Sequence, residues 1–291
     1  MKAAPFAYHR AESVKEAADV LAEFGDEAKV LAGGQSLIPL LAMRLTHFEN
    51  LVDISRVPEL QGIDLIDDEV VIGAGTAHAL VGMDDEVADS VPLLSLATPH
   101  IGHFQIRNRG TLGGAIAHAD PAAEFAAVAL TLDATIDAAS SRGDRQIAAS
   151  DFFTGLWENS LAADELLRAV RFPVWSGRTG FAVHEFARRH GDFAIAGATV
   201  AVELDTEDRV KRCAVGLLGL GSTPERGTPA ERAITGRPVS DIGAEEFGRL
   251  ALSELHDVPA DLQGSASYRI RVGAAMVARA WTDATTEALD A

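Results

Sequence analysis

Two glycine turns, Ala32-Gly33-Gly34-Gln35-Ser36 and Thr111-Leu112-Gly113-Gly114-Ala115, hold the residue types in this chain best suited to grip an anion. Each combines small residues with a hydroxyl. Glycine admits positive φ and lets a ligand approach the backbone closely, and successive N–H groups in such a turn form a nest for negative charge. One loop of this kind suits one phosphate. Two that converge suit a pyrophosphate, so the pair points to a dinucleotide. Neither loop is a P-loop, because the sequence has no Gly-Lys-Ser or Gly-Lys-Thr, and neither is the Rossmann fingerprint.

Other constellations point less sharply. Gly73-Ala74-Gly75-Thr76-Ala77-His78 begins like that fingerprint but has His78 in place of the third glycine, and reads as a tight turn. His100, His103 and His118 have no carboxylate or thiol beside them at metal-ligand spacing; turn and ligand-lining roles suit them better. Asp120 and Glu124, four apart at a helix start, suit a helix dipole, while Glu124 could instead accept from a cofactor hydroxyl. Arg188-Arg189-His190, ahead of Gly191-Asp192-Phe193-Ala194, reads either as a solvated basic turn or as a turn reaching back to the first half of the chain. In the second case Phe193 offers apolar surface to a ring system. With no Gly-x-Ser-x-Gly elbow, and Cys213 inside an apolar run, nucleophilic catalysis has no candidate.

The 291 residues suffice for two domains with real cores, and 47% are hydrophobic. Against 43 Asp and Glu stand 25 Lys and Arg, a net charge of −18 that argues against nucleic acid as a partner. Cys213 is the only cysteine, so any iron–sulfur cluster must be brought by another polypeptide. No apolar stretch is long enough to span a bilayer, and Met1-Lys2-Ala3-Ala4-Pro5-Phe6 lacks the core of a secretory signal; a cytoplasmic location is expected.

The elements that must position the two turns follow from patterning. Ser13-Val14-Lys15-Glu16 has the form of a capping box, followed by apolar residues at helical spacing up to Gly25. Lys29–Leu31 is a strand delivering the first turn, and Ser36–Leu45 a helix with Pro39 in its first turn. Leu51–Ile54 and Val70–Ile72 are strands, Phe125–Leu132 a buried helix or strand, and Asp164–Phe172 a last element before Pro173. Trp175-Ser176-Gly177-Arg178-Thr179-Gly180 has linker composition. Beyond it, Phe181–Phe186, Ala196–Leu204 and Cys213–Leu220 form an antiparallel sheet, with helices at Ala244–Leu255 and Tyr268–Trp281 packed on it. The fold class is α+β.

Ala32–Pro39, Ile106–Gly114 and Ala119–Glu124 together resemble the FAD-binding medium subunit of aerobic carbon monoxide dehydrogenases and related molybdenum hydroxylases, the xanthine dehydrogenase family. Phe186-Ala187-Arg188-Arg189 with Gly191-Asp192-Phe193-Ala194, and Gly264-Ser265-Ala266-Ser267-Tyr268-Arg269, are similar to its C-terminal signatures. The resemblance implies a PCMH-type FAD domain of the vanillyl-alcohol-oxidase kind over residues 1–176, split into α/β subdomains at about 1–56 and 57–176. A smaller C-terminal domain over 177–291 follows. It implies FAD held at Ala32, Gly33, Gly34, Gln35 and Ser36 and at Thr111, Leu112, Gly113, Gly114 and Ala115. By position it adds Ile101 on the flavin side, Glu124 on the sugar-phosphate arm, Leu167 near the adenine and Phe193 near the isoalloxazine. It also implies a large molybdenum-cofactor subunit and a small [2Fe–2S] subunit as partners, in a dimer of heterotrimers, with electrons leaving to an external acceptor.

Three positions depart from the family pattern. Gln35 stands where histidine is common, Ala115 where serine or asparagine is, and His184 where the xanthine dehydrogenase branch has a lysine near the flavin. These bear on the substrate and on a pyridine-nucleotide acceptor. A stand-alone FAD-dependent reductase or oxidase of the same cofactor fold is the alternative, but it needs its own proton donor over the flavin and none is nominated. A regulatory or assembly protein that keeps the fold without flavin is the third possibility.

Overall fold

The computed structural model describes residues 2–291. The first unit runs β1 (Ala7–Arg10), α1 (Val14–Phe24), β2 (Ala28–Leu31), α2 (Leu37–Met43) and β3 (Asn50–Asp53). Its sheet is parallel, in the order β1-β3-β2. All four residues of the central strand β3 are buried, as expected of a parallel strand covered on both faces. Half of the capping box forms: Ser13 Oγ accepts from the Glu16 N–H at 3.1 Å, while Glu16 Oε2 accepts from the Glu12 N–H at 2.8 Å rather than from Ser13, and Gly25 at φ +50° ends the helix. Ala17, Ala18 and Leu21 are its buried face. The helix expected over Ser36–Leu45 is shorter at both ends: Ser36 is its N-cap, and Arg44 adopts a left-handed conformation (φ 59°) that closes it.

The second unit opens with the hairpin β4 (Ile63–Ile66) and β5 (Glu69–Gly73). Six helices follow: α3 (His78–Val81), α4 (Asp85–Ser90), α5 (Pro92–Ala97), α6 (Phe104–Arg107), α7 (Leu112–His118) and α8 (Glu124–Thr131). A second hairpin, β6 (Thr135–Ser140) and β7 (Gly143–Ala148), leads through α9 (Ala149–Phe152) and the short pair β8 (Phe153–Gly155) and β9 (Glu158–Asn159) to β10 (Glu165–Pro173). The strand order β4-β5-β10-β6-β7 is antiparallel throughout. The last element to be made is therefore the centre of the sheet. β10 slots between the two hairpins and buries Leu166, Leu167, Val170 and Phe172.

The third unit is an antiparallel sheet, β11 (Arg178–Phe186), β12 (Ala196–Leu204), β13 (Val210–Leu218) and β14 (Glu225–Arg226), with helices α10 (Thr228–Ile234), α11 (Ala244–Ala251) and α12 (Ala266–Asp290). α12 lies across β11 and β12 and runs nine residues past the predicted Trp281, since Ala284 and Ala288 continue its buried stripe among threonines. A Cβ on Gly180 would overlap the Ala284 carbonyl oxygen, so only glycine lets β11 and α12 approach this closely. Phe247 and Trp281 stack at 4.0 Å between centroids, a contact worth about 0.5–1.5 kcal/mol beyond its buried area. The opposite face of the sheet meets the second unit. There Ala201 and Ala214 join the core of α5, α8 and β10, and Thr131 Oγ1 lies 2.6 Å from Thr199 Oγ1. α8 is the wedge between the units, buried from Phe125 to Thr131.

Candidate functional site

The two glycine turns are brought against each other. A Cβ on Gly33 would overlap the Arg109 carbonyl oxygen and lie 2.7 Å from the Gly110 Cα, and one on Gly114 would lie 3.4 Å from the Ala32 Cβ. The first turn joins β2 to α2, with Gly34 at φ +72° and Gln35 Nε2 donating to the Gly33 carbonyl at 3.0 Å. Among the described residues, no acceptor takes the N–H groups of Gly33, Gly34, Gln35 or Ser36. Four consecutive free amides, half-buried at the start of a helix, offer a nest for an anion.

The second turn is different, and the expectation of free amides is corrected there. Its donors are already used. Leu112 N–H donates to the Thr76 carbonyl and Gly113 N–H to that of Ala74, both at 3.0 Å. Gly114 N–H donates to Thr111 Oγ1 at 3.0 Å and Ala115 N–H to the Thr111 carbonyl at 2.9 Å. The turn is stitched to the loop after β5 and opens α7, so its backbone places the loop. What it still offers a ligand is the hydrogen of the Thr111 hydroxyl, which has no acceptor among the described residues, and the bare glycine surface. Beneath it, His78 Nε2 lies 2.8 Å from the Thr111 carbonyl. Burial pushes this imidazole down to about 4, so it is neutral and donates from Nε2. The segment declined as a dinucleotide loop thus serves as the seat of the second turn.

The β11–β12 loop reaches back to the second unit, the second of the two readings given to the Arg188–Ala194 stretch. A Cβ on Gly191 would lie 2.8 Å from the His103 ring. Ile101 is buried, and its carbonyl and that of Gly102 accept from Arg107 at 3.0 and 2.9 Å. Phe193 projects from the loop with 64% of its surface exposed. Arg269, 4% exposed, holds the neck of that loop from α12: it donates to the carbonyls of Ile195 (2.6 Å) and Gly219 (3.1 Å) and to Asp261 Oδ2 (2.7 Å).

Leu167 lies in β10 at an irregularity of its pairing with β6, and the whole residue, backbone included, is 5% exposed in the core. His118 stacks on Trp157 (6.3 Å, 9°), and no group of three or more His, Cys, Asp or Glu among the described residues is placed to hold a metal ion.

Glu185, absent from the sequence reading, is the site's unexpected member. Alternation along β11 sends His184 toward α12, where its Nε2 lies 2.6 Å from Asp283 Oδ2. It sends Glu185 the other way, with its side chain 4% exposed and Oε2 3.8 Å from His100 Nδ1. Burial, and then the charge of Glu124, push the Glu185 carboxyl up to about 8; burial pushes Glu124 up to about 7. The clue in the sequence was a lone acid on the inward phase of an apolar strand. With folded-state values above the unfolded ones, the folded chain holds more protons than the unfolded one. This stability is complete below the ordinary glutamate value and lost as pH rises through about 7 and about 8. Urea midpoints measured at rising pH should fall across that window in the native chain and fall less in Glu185→Gln. An unchanged slope in the variant would contradict the assignment.

The family comparisons match this layout. Residues 4–175 match the FAD binding domain in molybdopterin dehydrogenase, and residues 181–284 the CO dehydrogenase flavoprotein C-terminal domain. The chain is 42% identical over 279 residues to the 6-hydroxypseudooxynicotine dehydrogenase complex subunit alpha of Paenarthrobacter nicotinovorans (96% of this chain, 94% of the relative). It is 39% identical over 283 residues to caffeine dehydrogenase subunit beta of Pseudomonas sp. strain CBB1 (96% and 95%). Its structure superposes on a chain of the carbon monoxide dehydrogenase of Hydrogenophaga pseudoflava with a TM-score of 0.95 at 33% identity, covering 99% of each. From its amide nest to its last helix, the chain belongs to the FAD-binding flavoprotein family of the molybdopterin dehydrogenases.

Proposed function

We propose that this chain is the FAD-carrying medium subunit of a molybdenum hydroxylase, taking electrons from a [2Fe–2S] subunit and passing them to an external acceptor. The observation that carries the reading is the row of unpartnered amides from Gly33 to Ser36, set against a second glycine turn. The residues present fit FAD. In this reading the amides of the first turn and the Thr111 hydroxyl hold the diphosphate, and Leu112–Ala115 pack against it. Ile101 and Phe193 flank the ring, Glu124 accepts from the sugar-phosphate arm, and Leu167 lies near the adenine. The flavin supplies the two-electron to one-electron exchange, while the chain fixes and tunes it.

We place the boundary between the FAD domain (1–176) and the C-terminal domain (177–291) in the connection from β10 to β11. The partners are a large molybdenum-cofactor subunit and a small [2Fe–2S] subunit, assembled as a dimer of heterotrimers in the cytoplasm. Beside the nest, α2 and the residues after it leave Ile38, Met43 and Leu45 exposed, apolar surface of the kind a partner covers. Among the described residues no helix is long and apolar enough to cross a membrane. The test is reconstitution of the purified chain with FAD. It should show flavin absorbance, and substrate should bleach that absorbance only after both partner subunits are added. Bleaching by substrate with this chain alone would favour a stand-alone enzyme, and no flavin bands at all would favour a protein that keeps only the fold.

A further inference from the structure

We propose that Trp157, backed by His118, is a stacking platform for an adenine ring. The choice of adenine rests on the FAD reading above; the platform itself stands on its own contacts. Leu156 and Trp157 form the tip between β8 and β9, and Trp157 sits there in the left-handed region at φ +59°. Such a place in a hairpin tip ordinarily falls to glycine or asparagine, because a bulky side chain strains the backbone. The strain persists only where the surroundings enforce it, and three contacts do so. The indole lies on the His118 imidazole with centroids 6.3 Å apart and planes 9° from parallel, an offset stack of the kind aromatic rings favour. Its Nε1–H donates to Asp120 Oδ2 at 3.3 Å. Two residues on, Asn159 Nδ2 donates to the Ala117 carbonyl at 2.6 Å. The hairpin is thereby tied to the C-terminal end of α7.

Trp157 nevertheless keeps 56% of its surface exposed. One face of the indole is covered by the imidazole, and the other is an apolar ring surface held in a fixed orientation and open to solvent. Burial holds His118 below the ordinary histidine value, so the ring beneath is neutral at pH 7. Fixed aromatic faces of this kind take nucleobases by stacking. The position of the platform selects the ligand. α7 opens at the second glycine turn and ends at His118, so Thr111 and His118 stand about 10 Å apart along the helix. Near its start, α7 meets the first turn, where a Cβ on Gly114 would lie 3.4 Å from the Ala32 Cβ. A nucleotide with its phosphates at the turns and its base directed along α7 reaches Trp157. Asp120 adds a preference among bases. Its Oδ2 accepts from the indole and its Oδ1 from the Ala122 N–H at 2.9 Å, and the lone pairs left over suit the exocyclic amino group of adenine. That ring belongs either to FAD itself or to a free adenine nucleotide.

Fluorescence of the full chain reads the contact, because the other two tryptophans, Trp175 and Trp281, are buried. ADP added to the FAD-free chain should quench the Trp157 emission, taken as the difference between the native chain and Trp157→Leu. Isothermal titration then separates the two sources of adenine. If the ring is that of FAD, ADP binding is lost once FAD is loaded, and FAD affinity falls about tenfold in Trp157→Leu and recovers in Trp157→Phe. FMN, which has no adenine, should bind the native chain and Trp157→Leu equally, which a general loosening of the site would not allow. If the ring is that of a free nucleotide, ADP still binds the FAD-loaded chain and is lost in Trp157→Leu while FAD affinity is unchanged. Absence of quenching by ADP, or equal losses of FAD and FMN affinity in Trp157→Leu, would overturn the platform. Quenching by ADP in a chain that takes up no FAD would overturn the FAD reading and leave the platform standing.

Discussion

Gly33→Ala should purify as a folded protein that has lost its flavin. The added methyl overlaps the Arg109 carbonyl oxygen, and the nearby Gly110 Cα blocks a simple sideways relief. Both neighbours are backbone, so the two turns must separate. Overpacking of this sort costs about 1–3 kcal/mol of stability. The larger effect is on FAD. Displacing the Gly33–Ser36 amides removes donors to a charged group, each worth about 1.5–3 kcal/mol, so affinity should fall about a hundredfold or more. Isothermal titration with FAD measures this. Gly243→Ala, at a glycine with open space around it, is the control expected to keep native affinity. Native affinity in Gly33→Ala would mean that the turns do not need their close approach.

The sequence made the turns legible because their chemistry is local. Small residues and a hydroxyl ahead of a helix mean the same thing before folding as after. It did not reveal which amides remain free, since that depends on the Ala74 and Thr76 carbonyls meeting the second turn from more than thirty residues away. Strands with strong apolar patterns, β12 and β13 among them, were legible for the same local reason. β10 was found as a strand but not as the centre of its sheet, because insertion between two hairpins is a long-range event. Glu185 was passed over because a single acid in an apolar strand has no motif; only the fold shows that its phase points into the junction and that of His184 toward α12.

Arg269→Ala should destabilise the C-terminal half strongly. It removes two donors to the buried Ile195 and Gly219 carbonyls and the partner of Asp261. Orphaned buried acceptors cost about 1–3 kcal/mol each, so a total of about 2–4 kcal/mol is expected after relaxation. For a chain of this size that lowers the melting temperature by about 5–15 °C. Arg269→Lys should not restore it, because an ammonium cannot serve two carbonyls and a carboxylate with the planar fork of a guanidinium. The loop bearing Phe193, whose neck Arg269 holds, should be cut faster by protease in both variants. Melting within a degree of native would show that the clasp contributes little.

Amide hydrogen exchange with and without saturating FAD tests the division of labour between the turns most directly. The amides of Gly33, Gly34, Gln35 and Ser36 should exchange fast in the free chain and become protected when FAD binds. Those of Leu112 to Ala115 should be protected in both states. Fast exchange at residues 33–36 in the FAD-loaded chain, with new protection appearing only at residues 112–115, would contradict the account.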